Sequence, residues 1–534
     1  MDNKSNVSRR SFLEGMGVVG GLAALGAITG CTPQDGSSSG GSASSGASGS
    51  QAPASYSPAE VIDADVVVVG SGSSGICATV QAAELGAKTY CLEKESVTGG
   101  NGRGTEGVFA VGTSAQIAEG VEIPTFRELI ETDAAFFNYR INSLFWKDLV
   151  TNSKDNWEWL TGNGVKFSGV VDNYYDAGKV PVFHWFVDGD GNNYIDPMVA
   201  KAEGYGATIL TSTPVVDLVI TNGAVTGVYA KKEDGSIIQV NAKGVILASG
   251  GYAQNVEMMN ERGYDMTYSA NQGFLGHDGD GLRMALSAGG VDVSRSRAFL
   301  RDPYTYGVTW SSRFSHTINN GGPLLWVNQD GERYVDENCG AGTRDCWANA
   351  VRSQQRSWFI FDQAQADRFA VGFDTFQTEL DNAVASNPAD NIFKEDTIEA
   401  LAADAKFDPD TLKATVDRYN DLCHQGVDED FNKDADMMLA LETPPYYLFR
   451  QDMSFHTSIG GIHINRQFQV IDENDDPIPG LYAVGTDSCE LYRESYTMNI
   501  PASCQGNNVN SGRTAARRSA QASSPKQPEP GKCG

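Results

Sequence analysis

The sequence predicts an α/β fold organised around a Rossmann-like dinucleotide-binding domain, and three observations carry that expectation. A run of four valines leads straight into Gly70-Ser71-Gly72-Ser73-Ser74-Gly75, which spells GxGxxG. A stretch of helical spacing and a second apolar run ending at Glu93 follow it, the strand–turn–helix–strand setting that gives the motif its meaning. Two later segments, Lys243–Gly251 and Pro479–Gly485, are again apolar runs that stop at glycine.

The 534 residues allow two to four domains at ~100–200 residues each. Apolar residues at 40% and charged residues at 20% exclude a wholly disordered chain and a collagen. With 68 acidic against 40 basic side chains, the net charge of -28 repels phosphate backbones, so nucleic acid is not an expected partner.

Residues 1–30 read as an address. Ser8-Arg9-Arg10-Ser11-Phe12-Leu13 resembles a twin-arginine export signal, and the uncharged run from Gly15 to Gly30 is too short and glycine-rich for a spanning helix of ~20 residues. Ile28-Thr29-Gly30-Cys31 resembles a lipobox, which implies a lipidated Cys31 and a lipid anchor on the membrane surface. Residues 31–57 form a Ser/Gly-rich linker. Such a coil reaches roughly 25–30 Å, taking ~5–6 Å times the root of its length. The expectation is an extracytoplasmic protein exported by the twin-arginine route and anchored to the cell membrane.

Val61–Val69 reads as the first strand. Gly70 permits the tight turn, Gly72 lets backbone approach a pyrophosphate, and Gly75 lets helix meet strand. The helix N-terminus offers unpaired N–H groups and positive potential to phosphate. Ile76–Leu85 has helical spacing with Gly86 as its stop, and Lys88–Leu92 reads as the next strand. Glu93, 18 residues beyond Gly75, is placed to accept hydrogen bonds from an adenosine ribose. Gly99-Gly100-Asn101-Gly102, with Gly104 and Gly107 soon after, makes a loop whose backbone can lie flat against a large planar ligand.

Further segments settle which dinucleotide is expected. The strand Thr208–Val216, Lys243–Gly251, Gly279-Asp280-Gly281, Phe455-His456-Thr457-Ser458-Ile459-Gly460-Gly461, Pro479–Gly485 and Gly506–Arg513 follow in order. From about Ile62 to Arg518 the chain resembles the fumarate reductase and succinate dehydrogenase flavoprotein family. Urocanate reductase, 3-ketosteroid dehydrogenases and gut actinobacterial reductases are among its members. The resemblance implies FAD, bound non-covalently because no His lies between Glu93 and Gly107. It implies cofactor contacts at Gly70, Gly72, Ser74, Gly75, Glu93, Gly100, Asn101, Gly102, Gly107, Val108, Val216, Gly250, Asp280, Gly485, Asn508 and Val509. It also implies a Rossmann-like FAD-binding domain in two parts, 58–291 and 446–518, with an α+β capping domain inserted at 292–445. Asp396–Ala405 and Asp410–Cys423 are helical in period within that insertion, and 519–534 reads as a polar tail.

The same resemblance implies chemistry. Reduced FAD delivers hydride to an electron-poor carbon of a C=C bond, and Arg344, in Thr343-Arg344-Asp345, matches the acid that protonates the neighbouring carbon. His456, Tyr304 and Tyr496 are the other catalytic candidates. The departures bear on substrate. Thr317, Asn320 and Ser503 stand where dicarboxylate-reducing relatives carry Glu, Arg and Arg, and Asp302-Pro303-Tyr304 stands where they carry His-Pro-Thr. At ~1.5–3 kcal/mol per charged hydrogen bond, two missing arginines forfeit several kcal/mol of dicarboxylate binding. Tyr304, Tyr306, Trp310, Trp326, Trp347, Tyr492 and Tyr496 fall in the segments expected to face the cavity. The expected reaction is therefore reduction of a larger, flatter acceptor, such as an arylacrylate, an enone or an unsaturated lactone. The alternative is a 3-ketosteroid-type dehydrogenase running in the oxidative direction, with tyrosines as acid and base. A non-catalytic flavin-holding protein is the third reading. With no haem attachment sequence, electrons are expected from a separate donor protein, a cytochrome or an FMN-binding protein. The nine cysteines and six histidines show no metal spacing, and Cys339 and Cys346 are open to either a disulfide or separate thiols.

Overall fold

The computed structural model describes residues 56–523, apart from 175–177, 268, 272, 274–275, 295–297, 301–304, 306–307, 309–312, 320–323, 340–343, 388–390 and 493–495. The segments expected as signal (1–30) and, almost entirely, linker (31–57) therefore lie outside the described residues, and so does Tyr304.

Four consecutive buried valines, Val66–Val69, form the middle of a six-stranded sheet. Across the sheet the order is Gln469–Ile471, Pro477–Ala483, Gly244–Leu247, Val66–Val69, Thr89–Leu92 and Thr208–Leu210, with only the first pair antiparallel. A parallel strand covered on both faces reads as a continuous apolar run rather than an alternating one, which is why these segments carry so little polar sequence. The registers align Val69 with Leu247 and Leu92, and Leu247 with Ala483. The residues just past those strands, Gly70, Glu93, Ala248–Gly250 and Gly485, thus share one edge, the carboxyl end where open parallel sheets bind ligands.

The helix Ser73–Glu84 lies against this sheet with all but its last residue buried. The long closing helix, Ser503–Ser523, crosses it at backbone distance: a Cβ on Gly512 would lie 2.3 Å from the Ser74 carbonyl oxygen. Arg513 fixes the crossing, donating to Gln81 Oε1 (3.0 Å), Asn156 Oδ1 (2.6 Å) and Asp155 Oδ2 (3.0 Å) over the face of Trp159. Among the described residues no helix is long and apolar enough to cross a membrane.

Three expected elements are redrawn. Val61–Val69 is two strands in two sheets, Glu60–Asp63 and Val66–Val69. The chain changes sheet at Ala64-Asp65, where the Asp65 carboxylate takes the Lys88 N–H at 3.0 Å and the Lys243 ammonium at 2.8 Å. Thr208–Val216 is also two strands, Thr208–Leu210 and Val215–Thr221, parted at Ser212 (φ 49°) and Pro214. The tail begins later than 519, because the closing helix runs to Ser523 and Ser519 is fully buried beneath Gly244.

The inserted region has its own antiparallel sheet, Leu325–Asn328, Ser357–Asp362, Tyr446–Gln451 and Ile392–Glu395. Tyr446–Gln451, expected to open the second part of the FAD-binding domain, is an inner strand of this sheet. The helices Ile398–Ala405 and Pro409–Gln425 pack on this sheet as the periodicity anticipates. Inside, Arg333 bridges Glu337 (2.8 Å) and Asp428 (2.7 Å), and Lys433 adds a second cation to Glu337 (3.1 Å), so two buried cations face two buried anions. Trp326 and Trp347 belong to this core rather than to a cavity wall. The Trp347 indole N–H donates to the Glu337 carbonyl (3.1 Å) and so ties down the helix that opens at Arg344. Cys339 and Cys346 are not joined in a disulfide. A small three-stranded sheet, Ser269–Asn271, Met453–Ser458 and Ala298–Leu300, carries His456.

Candidate active site

The glycines of the first turn are dictated by contact. Gly70 has φ 98°, and a Cβ on Gly75 would lie 2.0 Å from its carbonyl oxygen. No side chain caps the helix start at Gly72, so the first N–H groups stay available to an anion. Glu93 is buried beside this turn. One carboxylate oxygen accepts from the Ser71 N–H (2.7 Å) and O–H (2.6 Å), the other from the Glu95 N–H (2.9 Å). Glu93 therefore shapes the phosphate turn itself, a role the sequence reading of a ribose ligand did not include.

The second glycine loop closes over the first. Gly72 pairs with Gly99, and Gly100–Gly104 forms a short helical turn. Gly102 meets Ser73 Oγ so closely that a Cβ there would lie 2.7 Å from it. Gly107 sits equally tight under Phe183. Asn101 reaches across to His277 Nδ1 (3.3 Å) and donates to the His456 carbonyl (3.4 Å). Burial pushes the His277 imidazole down to about 4, so it is neutral, and its ring lies where a side chain on Gly250 would be. Sequence reasoning passed over His277 as a histidine without metal spacing. Its place directly before Asp278-Gly279-Asp280 was the available signal.

Asp487 organises the third turn, accepting from the Ser249 N–H (2.5 Å) and the Gly251 N–H (2.8 Å). It is fully buried, and burial pushes its carboxyl up to about 6. Ser249 Oγ in turn accepts from the Gly281 N–H (3.1 Å) and anchors the helix Asp280–Ser287. The carboxylate of Asp280 is engaged by Lys94 (3.0 Å) and Arg283, which leaves less of it for a cofactor than expected. Val108 and Val509 bury their side chains together with Ile76 and Val80, so it is their main chain that a cofactor would meet. Val216 lies at an irregularity between Val215 and Asp217, with no cross-strand partner in the register and its side chain exposed.

At the head of the closing helix, Gln505 Nε2, Asn507 Nδ2 and Asn508 Oδ1 are buried without a hydrogen-bond partner among the described residues. Gly485, in front of them, could not carry a side chain: a Cβ there would lie 2.3 Å from Ser74 Oγ. Donors and an acceptor waiting beside a glycine cradle fit the amide and carbonyl edge of a flavin, and the uncapped turn at Gly72 fits its pyrophosphate.

Beside this cradle, Tyr492, Tyr496 and Ser503 come together. Ser503 donates its only hydroxyl proton to the Ile500 carbonyl (2.7 Å), so the Tyr492 O–H donates to Ser503 Oγ (2.5 Å). Tyr492 and Tyr496 meet edge to face at 5.1 Å. Burial pushes both phenols well above their ordinary range, leaving them neutral donors. Arg344 is the first residue of the helix Arg344–Arg352, and His456 is half-buried on its strand.

Comparison with known proteins agrees with this geometry. The family model described as FAD binding domain matches residues 65–499. The vinyl phenol reductase of Lactiplantibacillus plantarum is 32% identical over 486 residues, 86% of this chain and 96% of that protein. The urocanate reductase of Eggerthella lenta is 29% identical over 79% of this chain and 69% of that protein. The open conformation of a flavocytochrome c3 fumarate reductase aligns with a TM-score of 0.68 at 27% identity, over 87% of this chain and 79% of that one. A dinucleotide turn, a flavin-shaped set of polar groups and relatives named for reducing unsaturated organic acceptors converge on one assignment: the chain belongs to the FAD binding domain family, as an FAD-dependent reductase of the fumarate reductase type that acts on C=C bonds.

Proposed function

We propose that this protein is an exported respiratory reductase whose acceptor is a relatively bulky, flat molecule, such as a vinylphenol, an arylacrylate, an enone or an unsaturated lactone. The observation that carries this reading is the neutral Tyr492–Ser503–Tyr496 hydroxyl group. It occupies the segment where the resemblance aligns a carboxylate-binding arginine with Ser503. Hydroxyls and aromatic faces suit a phenol, a lactone or a ketone better than two carboxylates. The relative named vinyl phenol reductase, matched over nearly its whole length, supports the same substrate class.

When bound, reduced FAD supplies the hydride. Arg344 is the acid for the adjacent carbon, and Tyr496, Tyr304 and His456 orient the acceptor. Neutral buried phenols speak for the reductive direction. A dehydrogenase needs a tyrosine that gives up its proton, and burial opposes that for Tyr492 and Tyr496. Residues 1–31 supply export and the lipid anchor, and a separate cytochrome or FMN-binding protein supplies electrons. The test is anaerobic turnover with reduced viologen across a panel of acceptors. Fast reduction of a bulky enoate or enone and poor reduction of fumarate support the reading, and efficient fumarate turnover overturns it.

A further inference from the structure

On the helix Phe126–Phe136, Asp133 is buried against the segment that carries Tyr496. Its Oδ1 accepts from the Thr497 O–H (3.0 Å) and from Asn499 Nδ2 (3.4 Å). Its Oδ2 is buried with no hydrogen-bond partner among the described residues, and so is Asn499 Oδ1. Two orphaned acceptor oxygens thus sit on two side chains that are already joined through their other ends. Stranding two buried acceptors is costly. One proton on Asp133 Oδ2, shared with Asn499 Oδ1, would satisfy both and complete a cyclic acid–amide pair.

We propose that Asp133, in its protonated form, pairs with Asn499, and that this pair is a positioning element holding Tyr496 and its neighbours in the substrate site. The proposal rests on the reading of residues 492–503 as the substrate-facing segment. Losing the proton places a carboxylate oxygen against an amide oxygen and releases the latch. Burial pushes the Asp133 carboxyl up to about 6, while Thr497, Asn499 and Lys179 favour the charged form less strongly. Lys179, on an exposed position of the stretch packed beside Asn499, and Tyr496 interact with it. Arg127, Glu128 and Glu131 on its own helix are exposed, and on the neighbouring helix Ser143–Gly162 Asp148 is paired with Arg466. With a folded pKa above that of an exposed Asp, the stability Asp133 contributes is present in acid and lost as pH rises through about 6.

The test compares wild type, Asp133→Asn and Asp133→Leu, using a vinylphenol and reduced viologen as probes. Asn presents the same donor and acceptor as the protonated acid and cannot titrate. Wild-type kcat should fall about tenfold per pH unit above the midpoint of its alkaline limb, with KM rising as the site loosens. Asp133→Asn should keep at acid pH the turnover that Asp133→Leu loses, and should lack that limb. A titrating protonated-carboxyl band in difference infrared spectra, absent from Asp133→Asn, reads the same proton without turnover. A limb that persists in Asp133→Asn, or an Asn variant as impaired as Leu, overturns the proposal. If wild type reduces no C=C acceptor while the infrared band still titrates, the substrate reading fails and the acid–amide pair stands.

Discussion

Replacing Glu93 by Ala strands the groups that shape the phosphate turn. The Ser71 N–H loses a buried charged acceptor at 2.7 Å, the Ser71 O–H one at 2.6 Å and the Glu95 N–H one at 2.9 Å. Charged hydrogen bonds contribute ~1.5–3 kcal/mol each, and a stranded buried donor costs ~1–3 kcal/mol. The hydroxyl can turn to another acceptor and the half-exposed Glu95 N–H can reach water, so the net loss is about 2–4 kcal/mol rather than the sum of three bonds. With this turn as the expected FAD phosphate site, the loss should appear as an FAD affinity lowered about 30- to 700-fold, at ~1.4 kcal/mol per factor of ten. The assay is titration of the apoprotein with FAD, followed by flavin fluorescence, for wild type, Glu93→Ala, Ser71→Ala and the double variant. Because the two residues act through one contact, the double variant should lose less than the two single losses together, with a coupling of ~0.5–3 kcal/mol. Strict additivity, or undiminished flavin retention in Glu93→Ala, refutes the idea that Glu93 works through Ser71.

Arg344→Ala should lower C=C reduction by ~10²–10⁴-fold, the usual contribution of a general acid, while leaving flavin reduction by an artificial donor intact. Arg344→Lys should rescue little, because an ammonium lacks the planar fork, and Tyr496→Phe should cost less than either; the ranking is read from kcat on one acceptor. The flavin should leave with the supernatant on acid precipitation, since the loop after Glu93 offers no His for a covalent bond. Cys31→Ala should free the protein from the membrane fraction, whereas replacing Arg9 and Arg10 by Lys should hold it in the cytoplasm, as fractionation would report.

The parts of this molecule that were legible in the sequence are those fixed by backbone geometry. Gly70, Gly75 and Gly485 stand where any Cβ would strike a carbonyl or a hydroxyl, so their spacing announces the turn before any fold is known. The valine run and the runs before Gly250 and Gly485 are legible because a strand buried on both faces tolerates little polar sequence. The breaks were harder. Val61–Val69 is apolar enough for one strand, and only the tertiary hold of Lys88 and Lys243 on Asp65 splits it, while Pro214 was a local sign of the second break. The tail was misjudged because Ser519 is polar by composition and is buried only through its contact with Gly244, far away in the chain. Asp487 and Asp133 escape for the same reason, since each acquires its role from partners brought in by the fold, whereas His277 carries one local sign, its place directly before Asp278-Gly279-Asp280.

The most direct test of the central claim is a single-turnover experiment without an external donor. The FAD-loaded protein is reduced to completion under anaerobic conditions and mixed with either a vinylphenol or fumarate, while flavin absorbance and product are followed together. The account predicts rapid reoxidation by the vinylphenol, with one ethylphenol formed per flavin, and slow or absent reoxidation by fumarate. Rapid reoxidation by fumarate with succinate formed, or a reduced flavin that no bulky C=C acceptor reoxidises, would contradict it.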